Sequence, residues 1–288
     1  SSLTANTTGH SNTALGQHAV KTATTATYNT GLGRLALGAA TTGSFNTAVG
    51  ALSGDAITTG ADNTFVGYQS GSGTTTGADN TAIGQDALLA NTTGGNNVAV
   101  GSLALDANTT GGENTAVGYQ SLSTATTADN NTAFGYTALR DNTSGTSNLA
   151  VGVNTLRLNT TASNNTGVGA FALDVNTTGA SNTALGSAAL GANTTGAENT
   201  AIGSQAGDAL TTGFSNTALG VKALSSDTTG RYSVAIGHSA LENQAFTGNN
   251  NSYNTAVGYS AGNDVTTGVQ NTLIGGLAGD ALTDADFN

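Results

Sequence analysis

Residues 80–101 read NTAIGQDALLANTTGGNNVAVG, and this stretch contains one five-residue motif twice, 17 residues apart. The motif is Asn-Thr-Ala-aliphatic-Gly, and it or a close variant begins sixteen times in the 288-residue chain, from Asn12 to Asn271. Every interval is 17 residues except one of 21, between Ser233 and Asn254. A fixed period of this length indicates a solenoid, in which each repeat forms one coil.

Each position in the repeat, counted from the motif Asn as position 0, has its own composition. Gly stands at +4 and an apolar residue at +3 in all sixteen repeats, and Thr stands five residues before the motif in fifteen. Frequent Gly, Thr and Asn disfavour helix. We therefore predict an all-β solenoid, or β-roll, of about sixteen 17-residue coils. It forms one domain over residues 1–288, with a partial coil at 1–11 and the insertion in the coil at 233–253.

The strand at each motif presents two faces, because successive side chains of a strand point to opposite sides. We predict that the aliphatic residues at +3 fill the coil. This predicted structural core comprises Val49, Val66, Ile83, Val100, Val117, Val151, Ile202, Ile236, Val257 and Ile274. The residue at +2 is Ala or Gly in fourteen repeats. We predict that it forms an outward stripe on which other copies of the chain pack, most simply as a trimer. A monomeric solenoid is the alternative.

Two further positions vary together between repeats. Where +8 is Gly instead of Leu or Val, +11 usually becomes a large aliphatic residue, as in the pairs Gly54–Ile57, Gly207–Leu210, Gly262–Val265 and Gly279–Leu282. This coupling predicts that +8 and +11 fill the same internal volume once per coil.

The Asn residues at position 0 are predicted to stack from coil to coil. Stacked side-chain amides can hydrogen-bond along the axis of a solenoid, as they do in cross-β structures. The predicted ladder contains Asn46, Asn63, Asn80, Asn97, Asn114, Asn131, Asn148, Asn165, Asn182, Asn199 and Asn216.

Composition excludes several functions. The net charge is −11 with only six Lys and Arg residues and no Cys, which argues against a nucleic-acid partner and against Cys chemistry. The three His residues fall at three different positions of the repeat, so they define no catalytic set. No apolar run approaches the ~20 residues of a membrane-spanning helix. We expect no enzymatic activity, no cofactor, no metal and no membrane insertion.

Residues 233–240, SVAIGHSA, closely resemble the head repeat of trimeric autotransporter adhesins. The many Asn-Thr-Ala-Val-Gly-x-x-Ala-Leu repeats are similar to arrays in phage-type tail-fibre proteins and bacterial surface proteins. The resemblance implies a left-handed, trimeric β-roll that acts as a stalk or an adhesive head, outside the cell or on a virion. Its implied partners are copies of itself, in a homotrimer or a head-to-tail filament, and a glycan or cell surface.

The leading functional expectation is a non-enzymatic structural fibre, and two alternatives stay open. One is an adhesin head that binds glycans or matrix through the insertion, which is predicted to bulge outward with Phe246, Asn250 and Tyr253 as candidate recognition residues. The other is an ice-binding solenoid that uses the hydroxyls of its Thr-Thr-Gly turns. Seven Asn-x-Thr/Ser sequons lie at the variable +11 turn and mostly follow from the repeat, but they are candidate glycosylation sites, at Asn6, Asn91, Asn108, Asn142, Asn159, Asn176 and Asn193.

Overall fold

The computed structural model describes residues 1–248 and 250–288. They form an all-β parallel solenoid with one three-residue strand per repeat and no helix in these ranges. The strands are β1 Thr13–Leu15, β2 Thr30–Leu32, β3 Thr47–Val49, β4 Thr64–Val66, β5 Thr81–Ile83, β6 Val98–Val100, β7 Thr115–Val117, β8 Thr132–Phe134, β9 Leu149–Val151, β10 Thr166–Val168, β11 Thr183–Leu185, β12 Thr200–Ile202, β13 Thr217–Leu219, β14 Val234–Ile236, β15 Thr255–Val257 and β16 Thr272–Ile274.

The chain divides into two compact units, Ser1–Thr146 with β1–β8 and Ser147–Asn288 with β9–β16. Within each unit every strand pairs in parallel with the next strand along the chain. The register matches equal positions of successive repeats, so Thr47 faces Thr64 and Val49 faces Val66. The 17-residue period is therefore the perimeter of one coil.

The interior of the coil lies on the opposite strand face from the one that we predicted. The small residues at +2 are buried, with Ala116 0% and Ala201 1% exposed, and the residues at +7 and +8 pack beside them. No +3 residue is buried in the described chain, and the side chain of Leu15 is 72% exposed. The predicted core of Val49, Val66, Ile83, Val100, Val117, Val151, Ile202, Ile236, Val257 and Ile274 is therefore wrong, and so is the outward stripe at +2.

The width of the coil explains this inversion. In most coils Leu at +8 reaches the interior from the opposite side, where it is fully buried, as Leu105 and Leu122 are. The space left at the strand accommodates only a methyl group, because protein interiors are close-packed. A Cβ on Gly31, which stands at +2, would already lie 2.7 Å from Cγ2 of Val20.

The predicted coupling of +8 and +11 is confirmed at three of the four pairs by burial. Ile57, Leu210 and Val265 are at most 1% exposed, beside a Gly at +8, whereas Leu282 is only half-buried. Position +2 belongs to the same packing unit. Its two large residues, Phe65 and Leu273, occur only where the same coil and the preceding coil both carry Gly at +8.

The rest of each coil alternates between right- and left-handed backbone. Residues at +6, +8 and −1 have positive φ in almost every repeat, for example +61° at Leu35 and +52° at Leu37. This alternation turns successive N–H groups toward different neighbours. Leu35 N donates to Gln17 O in the preceding coil at 2.9 Å, and Leu37 N donates to Ser53 O in the following coil at 3.1 Å. Each coil is therefore hydrogen-bonded to both neighbours outside its strand as well.

Candidate interaction surfaces

The strand face, formed by positions +1 and +3, is the most regular surface of each unit. Position +1 is Thr in thirteen of sixteen repeats, and no charged residue occurs at either position. None of the +1 Thr hydroxyls hydrogen-bonds to protein among residues 1–248 and 250–288. The +3 row carries exposed side chains such as Ile83 (40%), Leu185 (46%) and Ile274 (70%). The strand face is therefore a flat array of aliphatic groups and unpaired hydroxyls, repeated at the ~4.8 Å spacing of a sheet.

The position-0 Asn residues lie inside the coils and are hydrogen-bonded in a ladder. Asn63 Nδ2 donates to Asn46 Oδ1 at 3.0 Å and to Gly77 O at 3.0 Å, and the same Asn46 oxygen accepts from Asn63 N at 3.1 Å. All eleven residues of the predicted ladder are at most 2% exposed. Because the amides are buried and hydrogen-bonded, the ladder holds coils together and presents nothing to a ligand.

A second Asn ladder, at +11, was not predicted. Asn108 Nδ2 donates to Asn91 Oδ1 at 2.9 Å, and Asn193 Nδ2 donates to Asn176 Oδ1 at 2.7 Å. The recurrence of Asn at +11 was the signal for it, although we interpreted +11 as a variable turn. Six of the seven sequon Asn residues are fully buried, namely Asn91, Asn108, Asn142, Asn159, Asn176 and Asn193. Of these seven only Asn6 is exposed, whereas three sequons outside +11, at Asn130, Asn164 and Asn250, have exposed Asn residues.

One run of the +11 ladder ends at Asn108, and this end lacks a hydrogen bond. Asn108 Oδ1 is buried without a hydrogen-bond partner, because the next coil has Ala125 at +11. Ala125→Asn is expected to raise the free energy of unfolding by about 1 kcal/mol, because it supplies a donor to this oxygen. Neighbouring coils already combine Leu at +8 with Asn at +11, so there is room for the new amide. Urea unfolding followed by circular dichroism measures the change.

Leu210→Asn is the matched control for Ala125→Asn. Asn193 Oδ1 is likewise unpartnered, next to Leu210 at +11. Leu210 fills the volume that Gly207 leaves empty, and a Cβ on Gly207 would lie 3.1 Å from Leu210 Cδ1. Its replacement is expected to destabilise by about 2–4 kcal/mol although it also completes the ladder. Equal changes in the free energy of unfolding for the two variants would contradict a stabilising contribution of the new amide that is separate from the filling of the interior.

The insertion keeps the register of the coil on both sides. Ala245 N donates to Thr266 O at 2.9 Å, and Gln270 N donates to Ser252 O at 2.7 Å. Phe246 is 2% exposed, so our prediction that it offers contact area to a ligand is wrong. Its apolar ring is withdrawn from water, and its carbonyl accepts from Thr228 Oγ1 at 2.7 Å. Asn250 and Tyr253, the other two candidates, are exposed.

A buried polar network anchors the insertion. Asp227 occupies +11 in place of Asn, and Gln244 occupies +11 in the following coil. Gln244 Nε2 donates to Asp227 Oδ2 at 2.6 Å and to Ser233 Oγ at 2.8 Å, while Gln244 Oε1 accepts from Asn254 Nδ2 at 2.9 Å. Burial raises the pKa of Asp227 above its ordinary value, although its hydrogen bonds oppose this shift. The network is closed to solvent and is structural.

Aromatic residues gather beside the insertion. The rings of Tyr232 and Tyr253 stack with centroids 5.3 Å apart at an interplanar angle of 6°, and Phe214 meets Tyr232 edge-on at 5.3 Å. The guanidinium of Arg231 lies 4.4 Å from the Phe214 ring centre. We call Phe214, Arg231, Tyr232, Asn251 and Tyr253 the insertion cluster.

Another stacked pair lies away from the insertion. The ring centres of Tyr119 and Tyr136, both at +5, are 5.5 Å apart. This pair has no neighbouring guanidinium.

Two polar grooves also lie on the surface of the described residues. One, of about 380 Å³, includes Gly112, Glu113 and Asp129 in its lining. The other, of about 260 Å³, includes Asp208 and Lys222, and burial raises the pKa of Asp208. No group of three or more His, Cys, Asp or Glu side chains suited to a metal ion occurs in the part of the chain that the structure describes. Within the same residues no helix has the length and apolar character to cross a membrane.

Comparison with models of protein families gives no match for this chain, and no curated protein matches its sequence. The class is thus defined by the fold alone, as an all-β parallel solenoid of 17-residue coils.

Proposed function

We propose that this protein is a non-enzymatic structural fibre, extracellular or virion-associated, whose strand faces pack against other copies of the chain. The exposed aliphatic row at +3 is the observation that carries this proposal. Eight +3 side chains stand in register in each unit; they are exposed or half-buried, and all are aliphatic except Phe134. Contiguous apolar surface of this kind marks an interaction site in a water-soluble protein.

The burial energy available on this face is of the same order as the cost of association. Complete burial of one Val, Leu or Ile side chain contributes roughly 1.5–3 kcal/mol, whereas association costs about 4–15 kcal/mol in lost motional freedom. Half-burial of eight side chains contributes about 6–12 kcal/mol per unit, which is comparable to that cost. Three strand faces around one axis would cover each other, which agrees with the trimer that the resemblance to adhesin heads implies. The interface is then +1/+3, and the Ala residues at +2 stay inside each coil.

The mass of the native assembly tests the fibre. Light scattering is expected to give a multiple of the 27.9 kDa chain mass. Val100→Asp combined with Val117→Asp places two charges on the strand face and is expected to give single chains that keep their β circular dichroism. Thr93→Asp with Thr110→Asp, on the exposed turn, is the control and is expected to keep the assembly. A wild-type mass of one chain at micromolar concentration would refute the fibre.

Ice binding is a second candidate, and the unpaired +1 hydroxyls favour it. The sequence pointed to the Thr-Thr-Gly turns, but the first Thr of most turns uses its hydroxyl within the protein. Thr58 Oγ1, for example, donates to Thr75 O at 3.1 Å. The strand face therefore replaces the turns as the candidate surface. Thermal hysteresis in a single-chain sample, lost in the Val100→Asp/Val117→Asp variant, would support ice binding against the fibre.

A further inference from the structure

The insertion is the one place where the period is interrupted. The ring stack beside it has a counterpart in His10, Tyr28 and Phe45, but only the stack at the insertion carries a guanidinium among the described residues. The chain runs 21 residues from Ser233 to Asn254, and the added residues bring Asn251 into a β-bridge with Arg231. They also restore the register of the coil, so that the Tyr253 ring stacks on the Tyr232 ring. The side chains of Tyr232 and Tyr253 are 38% and 48% exposed. The insertion cluster therefore faces solvent at a corner of the coil that precedes the strand face.

A guanidinium held over a ring distinguishes this cluster from the rest of the described surface. Three ion pairs occur among the described residues, and they use Arg140, Arg157 and Lys222. Arg231 is in none of them, and its guanidinium lies over the Phe214 ring instead. An aromatic face orients a guanidinium without cancelling its charge. In a chain of net charge −11, the cluster thus holds a positioned cation with no carboxylate partner.

The polar groups around Arg231 are arranged mainly to donate hydrogen bonds. Tyr253 Oη accepts from Asn251 Nδ2 at 3.2 Å, so the Tyr253 hydroxyl proton is left for an acceptor outside the protein. The Tyr232 hydroxyl and the exposed amide of Asn250 add further donors. A ligand that matches this surface carries an anionic acceptor for the guanidinium and neutral hydroxyls for the amides.

We infer that the insertion cluster binds a carboxylate-bearing saccharide, with the carboxylate at Arg231 and the sugar hydroxyls at Asn251 and the two Tyr hydroxyls. Stacking covers one face of Tyr232 and one face of Tyr253, so the sugar lies across the ring edges and hydroxyls. This inference rests on the proposed fibre. Self-association would cover the strand face, and the insertion cluster lies outside that face and stays accessible.

Saturation-transfer NMR on ligand protons tests the site, because it detects weak binding to a large particle. The probes are sialyllactose, which carries a carboxylate, and lactose, which does not. Wild-type protein is expected to saturate sialyllactose and to bind lactose at least about tenfold more weakly, equivalent to 1.4 kcal/mol. Arg231→Gln and Tyr253→Ala are expected to abolish the signal. Tyr119→Ala removes a ring from the stacked pair that lacks a cation, and it is expected to bind as wild type does.

Each remaining outcome contradicts a defined part of the inference. Equal saturation of lactose would refute the role of the carboxylate, and equal binding of a short poly-glutamate peptide would refute the saccharide. Absence of any signal would refute the site. Light scattering on the same samples separates this result from the fibre, because Arg231→Gln and Tyr253→Ala are expected to leave the assembly mass unchanged. A wild-type protein that binds sialyllactose as a single chain would refute the fibre alone.

Discussion

Ala116→Leu is expected to lower the free energy of unfolding by about 3 kcal/mol, whereas Val117→Leu, one residue further on, is expected to change it by less than about 0.5 kcal/mol. Ala116 is 0% exposed, and Leu105 and Leu122 already fill the coil beside it. Three added heavy atoms there force neighbouring side chains out of their rotamers or displace the backbone. Val117 points outward, where a larger side chain meets only solvent or another copy.

Urea unfolding measures this difference, and Ala116→Leu is repeated in the Val100→Asp/Val117→Asp background as a check that assembly does not contribute. Leu122→Gly in combination with Ala116→Leu gives this coil the +2 and +8 residues of the coil that holds Leu273 and Gly279, although the preceding coil keeps Leu105 at +8. The double variant is expected to lose less stability than the sum of the two single changes, because the new side chain occupies the vacated volume. Equal unfolding of Ala116→Leu and Val117→Leu would contradict the assignment of +2 to the interior.

The period and register of the fold were predictable, whereas the side of the strand that faces inward was not. A recurrence of 17 residues places equal positions one above another whatever the coil encloses. A three-residue strand, however, has apolar residues on both faces, and the larger ones at +3 suggested the core. The interior is narrow, and Leu at +8 fills it from the opposite side. The positions of Phe65 and Leu273, each beside two coils with Gly at +8, carried that information.

The left-handed backbone positions could not be predicted from residue preferences. Leu stands at +8 with positive φ in most coils, for example +54° at Leu88 and +51° at Leu156. This conformation costs roughly 1–2 kcal/mol for a residue with a Cβ. Burial of the Leu side chain and the hydrogen bond from its N–H to the adjacent coil offset that cost. Only the stacking of coils supplies these contacts, so a single repeat contains no sign of them.

The intervals between motifs predicted where the insertion lies, but the orientation of its side chains depends on the packing of the coil. Phe246 is buried next to the Asp227–Gln244 network, because removal of its apolar ring from water is favourable. Tyr253 returns to the −1 row, where Tyr232 offers a ring to stack against. Interval lengths could therefore predict where the cluster lies, and only the three-dimensional arrangement shows that Arg231 and Asn251 belong to it.

Gly152→Ala is expected to open the coils around it, with a local loss of about 3 kcal/mol or more in protection against hydrogen exchange. Gly152 stands at +4 with φ +136°, a conformation that residues with a Cβ rarely adopt. In addition, a Cβ there would lie 2.7 Å from the carbonyl oxygen of Gly169 in the next coil. Strain and collision therefore act together, which explains why +4 is Gly in every repeat.

Two controls in the last coil separate these causes. Gly275 has φ +127°, but its nearest atom to an added Cβ is Ala278 Cβ at 3.9 Å, so Gly275→Ala is expected to cost only the backbone strain, about 1–2 kcal/mol. Gly276 has neither a positive φ nor a contact closer than 4.0 Å, and Gly276→Ala is expected to be silent. Hydrogen exchange read by mass spectrometry, coil by coil, gives all three values. If Gly152→Ala and Gly275→Ala lose the same protection, the approach of neighbouring coils at +4 does not require glycine, and backbone conformation alone explains its recurrence.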